Sequence, residues 1–141
     1  MIEGAGELPE SGADVVISNH ALEHTLDPLG DLRALRRALR PGGKLVLWLP
    51  IDDWRAQREP ADGDDRDHHL YTWTPRLLAN LLREAGFELR ECRVVAHAWP
   101  TNRYATLHRV LPAPLFELAA RAWSRLRRRR QLMALALRPL E

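Results

Sequence analysis

The sequence predicts an α/β fold built around a parallel sheet, and two stretches of the chain predict it. Residues 13–50, ADVVISNHALEHTLDPLGDLRALRRALRPGGKLVLWLP, read as strand, polar turn, amphipathic helix, glycine break and strand. Residues 74–98 continue with a second helix followed by a strand. Two strands joined by one short crossover helix are the unit of a parallel sheet.

Residues 1–13 read as a loop leading into the first strand. Asp14 to Ile17 is an apolar, β-branched run, and it ends in Ser18-Asn19-His20. Leu29, Leu32, Leu35 and Leu39 recur at helical spacing, with Arg33, Arg36, Arg37 and Arg40 on the other side. Asp27 and Pro28 supply the cap and first-turn proline of that helix. Pro41-Gly42-Gly43 is expected to stop it, and Lys44 to Leu49 to form a buried strand. Residues 51–70, IDDWRAQREPADGDDRDHHL, are polar and lack periodicity, which predicts a long loop. A helix is predicted over 74–86, with Thr74 as cap, Pro75 in the first turn and Gly86 as terminator. Its apolar stripe is Leu78, Leu81, Leu82 and Ala85. Residues 87–98 read as a strand and 99–112 as irregular chain. Residues 114–128 read as a helix with Leu115, Leu118, Ala119, Ala122 and Leu126 directed inward.

Composition narrows the classes. A chain of 141 residues with 45% hydrophobic content suffices for one core. A net charge of +2 argues against a partner recognised by bulk charge. Cys92 is the sole cysteine, so an intrachain disulfide and a cysteine-based metal site are excluded, and a reducing, cytoplasmic setting is expected. Residues 1–12 are acidic and glycine-rich, unlike a signal peptide, and no apolar run reaches membrane-spanning length.

DVVISNHALEH followed by LRALRRALRPGGKLVLWLP resembles the second half of a class I S-adenosylmethionine-dependent methyltransferase of the type 11 kind. HHLYTWTPRLLANLLREAGFELREC is similar to that family's later helix and sixth strand, and GAGELP to the loop after its third strand. The resemblance implies the carboxyl-terminal part of a Rossmann-like sheet, mostly parallel. It also implies that QLMALALR, residues 131–138, is an antiparallel last strand. No glycine-rich turn opening a helix occurs in the sequence, nor the ribose-binding acid that accompanies it. The resemblance thus implies one partial, amino-terminally truncated domain over residues 1–141. It would carry out S-adenosylmethionine-dependent methyl transfer to a small-molecule or carbohydrate-like acceptor. The chain alone is expected to bind that donor weakly or not at all. The competing reading is a non-catalytic remnant or subunit that pairs with another chain through an exposed sheet edge.

Ligands of parallel sheets collect at the carboxyl ends of strands. His20 and His24 bracket the turn after the first strand, and an imidazole there suits proton transfer near neutral pH. By resemblance His69 faces the acceptor, so His24 and His69 are the catalytic candidates. Gly6, Ser18, Asn19 and His20 are by resemblance the donor-binding candidates. Glu23 reads as a solvated first-turn residue. No metal is expected: His68 and His69 are adjacent, and the helical turn that would pair His20 with His24 is short. Trp48, Trp54, Tyr71, Trp73 and Trp99 read as packing residues, with cation–π contact to a sulfonium as the alternative. The arginines 125 and 127–130 read as a solvated helix end, with peripheral membrane contact second and nucleic-acid binding not expected.

Overall fold

The computed structural model describes residues 10–51, 68–96, 108–126 and 130–140. In chain order these form β1 (Ala13–Asn19), a 3₁₀ turn (Leu22–His24), α1 (Pro28–Ala38), β2 (Leu39–Pro50), α2 (Pro75–Glu84), β3 (Glu88–Ala96), α3 (Ala113–Leu126) and β4 (Arg130–Leu137). The strands make one four-stranded mixed sheet in the order β1-β2-β4-β3. The last strand in sequence therefore lies inside the sheet. β1 and β2 run parallel, with Val16 opposite Leu45, Ile17 opposite Val46 and Asn19 opposite Trp48.

The chain forms two compact units, residues 1–93 with 132–141, and residues 94–131. The core of the first gathers Leu32 from α1, Leu45, Leu47 and Leu49 from β2, Leu78 and Leu82 from α2, and Leu132, Ala134 and Ala136 from β4. Alternation along β2 and β4 puts these residues on one face of the sheet. Val16 packs against the same core. Its neighbours on β1 face the other way, and Val15 and Ile17 are 48% and 65% exposed.

α1 starts as its sequence dictates. The Asp27 carboxylate accepts the Gly30 amide at 2.9 Å, and Pro28 occupies the first turn. It ends earlier than expected, at Ala38. Arg40 precedes a proline and is pushed toward extended backbone, so the strand begins at Leu39. Pro41-Gly42-Gly43 then lies within β2 and not ahead of it. The register shifts from Ala13 opposite Leu39 to Val15 opposite Lys44, so the extra residues bulge on β2. Gly42 adopts φ +76°, and a Cβ on Gly43 would meet the Arg40 carbonyl at 2.8 Å. Arg138, just past β4, donates through Nη1 to the carbonyls of Arg36, Arg37 and Leu39, closing the carboxyl end of α1.

α2 follows its sequence signals closely. Thr74 Oγ1 accepts the Leu77 amide at 3.1 Å, and Gly86 ends the helix at φ +85°. The Gly86 carbonyl accepts Arg36 Nε at 3.0 Å, tying α2 to α1.

The second unit carries α3, and its buried stripe differs from the expected one. Phe116, Ala120 and Ser124 are buried, four residues apart. Leu115, Leu118, Ala119, Ala122 and Leu126 are exposed. The helix does carry an apolar stripe, but the face it buries is the adjacent one. Phe116 meets the His108 ring edge-on at a centroid distance of 4.8 Å. Among the described residues no helix is long and apolar enough to cross a membrane. Gly6, Trp54, Trp99, residues 52–67 of the expected long loop and the arginines 127–129 lie outside the described residues.

Candidate active site

β1 ends where its backbone turns. His20 adopts φ +49°, a left-handed conformation uncommon for a residue with a side chain. Its amide still donates to the Trp48 carbonyl at 2.9 Å, so the turn begins on the last rung of the β1–β2 ladder. Ser18 is half-buried and Asn19 exposed on that last stretch of strand. The 3₁₀ turn follows at once. Leu22 anchors it in the core, 3% exposed, and the Thr25 hydroxyl donates back to the Leu22 carbonyl at 3.3 Å.

Glu23 is the correction the structure makes. It is fully buried, not solvated. A 3₁₀ turn has three residues per turn. With Leu22 pinned inward, the Glu23 side chain is directed under the segment that returns before α2. That segment is held by its backbone: the Leu70 amide donates to the Glu23 carbonyl at 2.8 Å, and the Tyr71 hydroxyl to the Leu26 carbonyl at 3.2 Å. Trp73, 2% exposed, seats it in the core, which settles the packing role for that tryptophan.

The outcome is a cluster of imidazoles around one carboxylate. Glu23 Oε1 lies 3.7 Å from His20 Nδ1, 3.8 Å from His24 Nε2 and 4.0 Å from His69 Nε2. The rings of His24 and His69 meet at 5.0 Å and 61°. His24 Nδ1 lies 3.3 Å from the His68 carbonyl, which can only accept, so Nδ1 carries the proton. Neither carboxylate oxygen of Glu23 has a hydrogen-bond partner among the described residues. The structure thus brings together His20, His24 and His69 at the carboxyl end of β1, beside Ser18 and Asn19. Sequence reasoning missed the carboxylate between them. Its one signal was position, directly before His24 and three residues after His20.

The cluster can hold a cation, receive a proton, or orient an oxygen nucleophile. His24, with its side chain 42% exposed, is the member that reaches solvent most readily.

Comparison with known proteins places this chain in a family. The profile of the methyltransferase-domain family matches residues 4–91, more than half of the chain. No curated protein sequence gives a significant match. Among solved structures, a Haloferax volcanii methyltransferase in complex with the Trm112 methyltransferase activator is 19% identical, with a TM-score of 0.64 over 99% of this chain and 60% of the other. Burkholderia thailandensis 1,6-didemethyltoxoflavin-N1-methyltransferase, with S-adenosylhomocysteine bound, is 20% identical, with a TM-score of 0.59 over 96% and 48%. The [4+2]-cyclase SpnF is also 20% identical, with a TM-score of 0.60 over 96% and 54%. The chain spans about half to three-fifths of the length of these proteins. This chain belongs to the methyltransferase-domain family, and its fold is that of the class I S-adenosylmethionine-dependent enzymes.

Proposed function

We propose that this chain serves S-adenosylmethionine-dependent methyl transfer to a small-molecule or carbohydrate-like acceptor, with a donor site that it does not complete alone. The observation that carries the reading is the histidine cluster at the carboxyl end of β1 in a chain of this family. Ser18, Asn19 and His20 would meet the methionine end of the donor, and Gly6 its adenine. The exposed amide of Asn19 and the half-buried hydroxyl of Ser18 suit a zwitterion. No residue of the chain supplies the glycine-rich turn that lets backbone approach the rest of the donor. When bound, S-adenosylmethionine supplies a methyl group on a sulfonium. His24 and His69 act on the acceptor side, fixing its hydroxyl and governing the loss of its proton. Most of the acceleration in such a reaction comes from holding two reactants in line.

The exposed face of β1 favours a second reading, a subunit that pairs with another chain. Val15 and Ile17 leave apolar surface open beside an edge strand. The Haloferax volcanii methyltransferase of similar fold is in complex with an activator, which supports association with a partner chain. The exposed leucines of α3 would in turn suit contact with a membrane surface, aided by the arginines that follow.

Calorimetric titration with S-adenosylmethionine tests the incomplete donor site. Binding should be weak or absent, and a micromolar or tighter dissociation constant would overturn it. Methyl transfer is read separately, with tritiated donor and a metabolite extract, on a chain extended by the residues encoded upstream. Label in the small-molecule fraction supports the reading. Donor binding without label removes methyl transfer and leaves the subunit role.

A further inference from the structure

We propose that Glu23, His24 and His69 form a binding site for one divalent first-row transition cation of the zinc kind. Their ligand atoms, one carboxylate oxygen and two imidazole nitrogens, all lie within 4.8 Å of one another.

The carboxylate states the need. Glu23 is completely buried, and neither oxygen has a hydrogen-bond partner among the described residues. An ionised carboxylate in that position is costly unless a positive charge accompanies it. No lysine or arginine is recorded pairing with it among the described residues; its close neighbours are imidazoles.

The neutral form of His24 presents the tautomer that a metal ligand needs. Its Nδ1 gives its proton to the His68 carbonyl, so in the neutral ring Nε2 carries a lone pair. That lone pair faces Glu23 Oε1 at 3.8 Å. In that form two electron-rich atoms face each other, and a cation between them removes the repulsion. The separation is too long for a proton to bridge as a hydrogen bond, since those span about 2.7–3.2 Å. Ligand atoms held at about 2.0–2.1 Å in tetrahedral coordination stand about 3.3–3.4 Å apart. The distances of 3.8 Å and 4.0 Å to His24 and His69 are about half an ångström longer, a gap that side-chain rotation closes around a cation. A backbone carbonyl taking the outer nitrogen of a histidine is also the support that metal-ligating histidines ordinarily have.

The donor set selects the ion. Two imidazoles and one carboxylate suit zinc, cobalt or iron, and suit magnesium or calcium poorly, because those prefer oxygen ligands. Three protein ligands leave a coordination position open, and His24 is the ligand most exposed to solvent. Cation binding is independent of the methyl-transfer reading; only its use rests on that reading. There the open position would take the acceptor hydroxyl. Its O–H bond would break with the electron pair left on the cation-bound oxygen and the proton passed to water, the acidification that divalent cations give bound oxygen.

The test uses the whole chain, without a polyhistidine tag, stripped with chelator and dialysed. Cobalt(II) is titrated while the visible spectrum is followed, and zinc(II) by calorimetry. The expected result is one equivalent bound per chain, d–d bands in the visible, and a higher melting temperature with zinc. Glu23→Gln, His24→Ala and His69→Ala should each weaken binding at least tenfold, whereas His108→Ala should leave it unchanged. Circular dichroism shows which variants remain folded, and the partly exposed His24 gives the variant least exposed to misfolding. Absence of d–d bands and of any thermal shift at millimolar metal would overturn the proposal. So would binding that survives in folded His24→Ala. In either case the cluster is a carboxylate neutralised by protonated imidazole, and the methyl-transfer assay above is unaffected.

Discussion

Glu23 precedes His24 in the chain, yet its surroundings come from the segment before α2, which follows residues 52–67. This distance explains what could be read beforehand. His24 and His69 could be named as candidates because a strand end and a family pattern single them out, and the structure brings their rings together. The burial of Glu23 was not legible, because a glutamate in a short turn looks solvated until a distant segment covers it. In any form of the protein that binds donor, His24→Ala and His69→Ala are each expected to lower kcat by about 100- to 10,000-fold. The donor dissociation constant should change much less. Wild-type turnover in both would remove them from the chemistry. Cys92 gives a prediction that does not depend on the site. Burial pushes its thiol up and the Arg83 guanidinium only partly offsets this, while Sγ–H donates to the Pro75 carbonyl at 3.4 Å. The thiolate is the reactive form, so alkylation should be slower than for free cysteine, with a midpoint at higher pH. The sign for stability follows. Folding favours the protonated thiol, so its contribution is present below the ordinary thiol value and is lost as pH rises from there through the raised folded-state value. Urea melts from ~pH 7 to ~pH 10 should show a small loss that Cys92→Ser removes.

At the level of elements, local signals were read most reliably where the competing forces are also local. The two capped helices began where Asp27-Pro28 and Thr74-Pro75 said they would, because a side chain three residues from an amide needs no distant partner. The end of α1 was misjudged because the restriction that Pro41 imposes on Arg40 acts before the proline itself. The buried face of α3 was misjudged because a helix rich in Leu and Ala offers more than one apolar face. Only packing selects Phe116, Ala120 and Ser124. Asp27→Ala is expected to cost about 1 kcal/mol through the lost cap. Gly43→Ala should cost more, because its Cβ would meet backbone and not a movable side chain. Chemical denaturation of the two variants against wild type measures the order. Equal costs would mean that the bulge on β2 gives way.

For the molecule as a whole, the α/β class and the strand–helix–strand unit were legible from periodicity and turns. The resemblance implied a mostly parallel sheet with an antiparallel last strand; the sheet is mixed, with β1 and β2 as its parallel pair, and the place where the last strand inserts has no local signal in that strand. β1 is an edge strand with two exposed apolar side chains and Asp14 as its one charge. Self-association through this strand is expected, seen by light scattering at tens of micromolar. Ile17→Lys should reduce it, because Ile17 is on the open face, whereas Val16 packs on the core and its replacement would unfold the strand. A clean monomer for the wild type would exclude the edge as a contact. The strand order has a consequence for biosynthesis. β4 lies between β2 and β3 but is made after both. At roughly 5–20 residues per second, a ribosome needs on the order of 4–17 s to go from the end of β2 to the end of β4. Throughout that interval β2 presents an unfilled flank and β3 has no neighbour on that side. The nascent chain therefore carries a gap in the middle of its sheet, open to chaperones, until residues Arg130–Leu137 emerge.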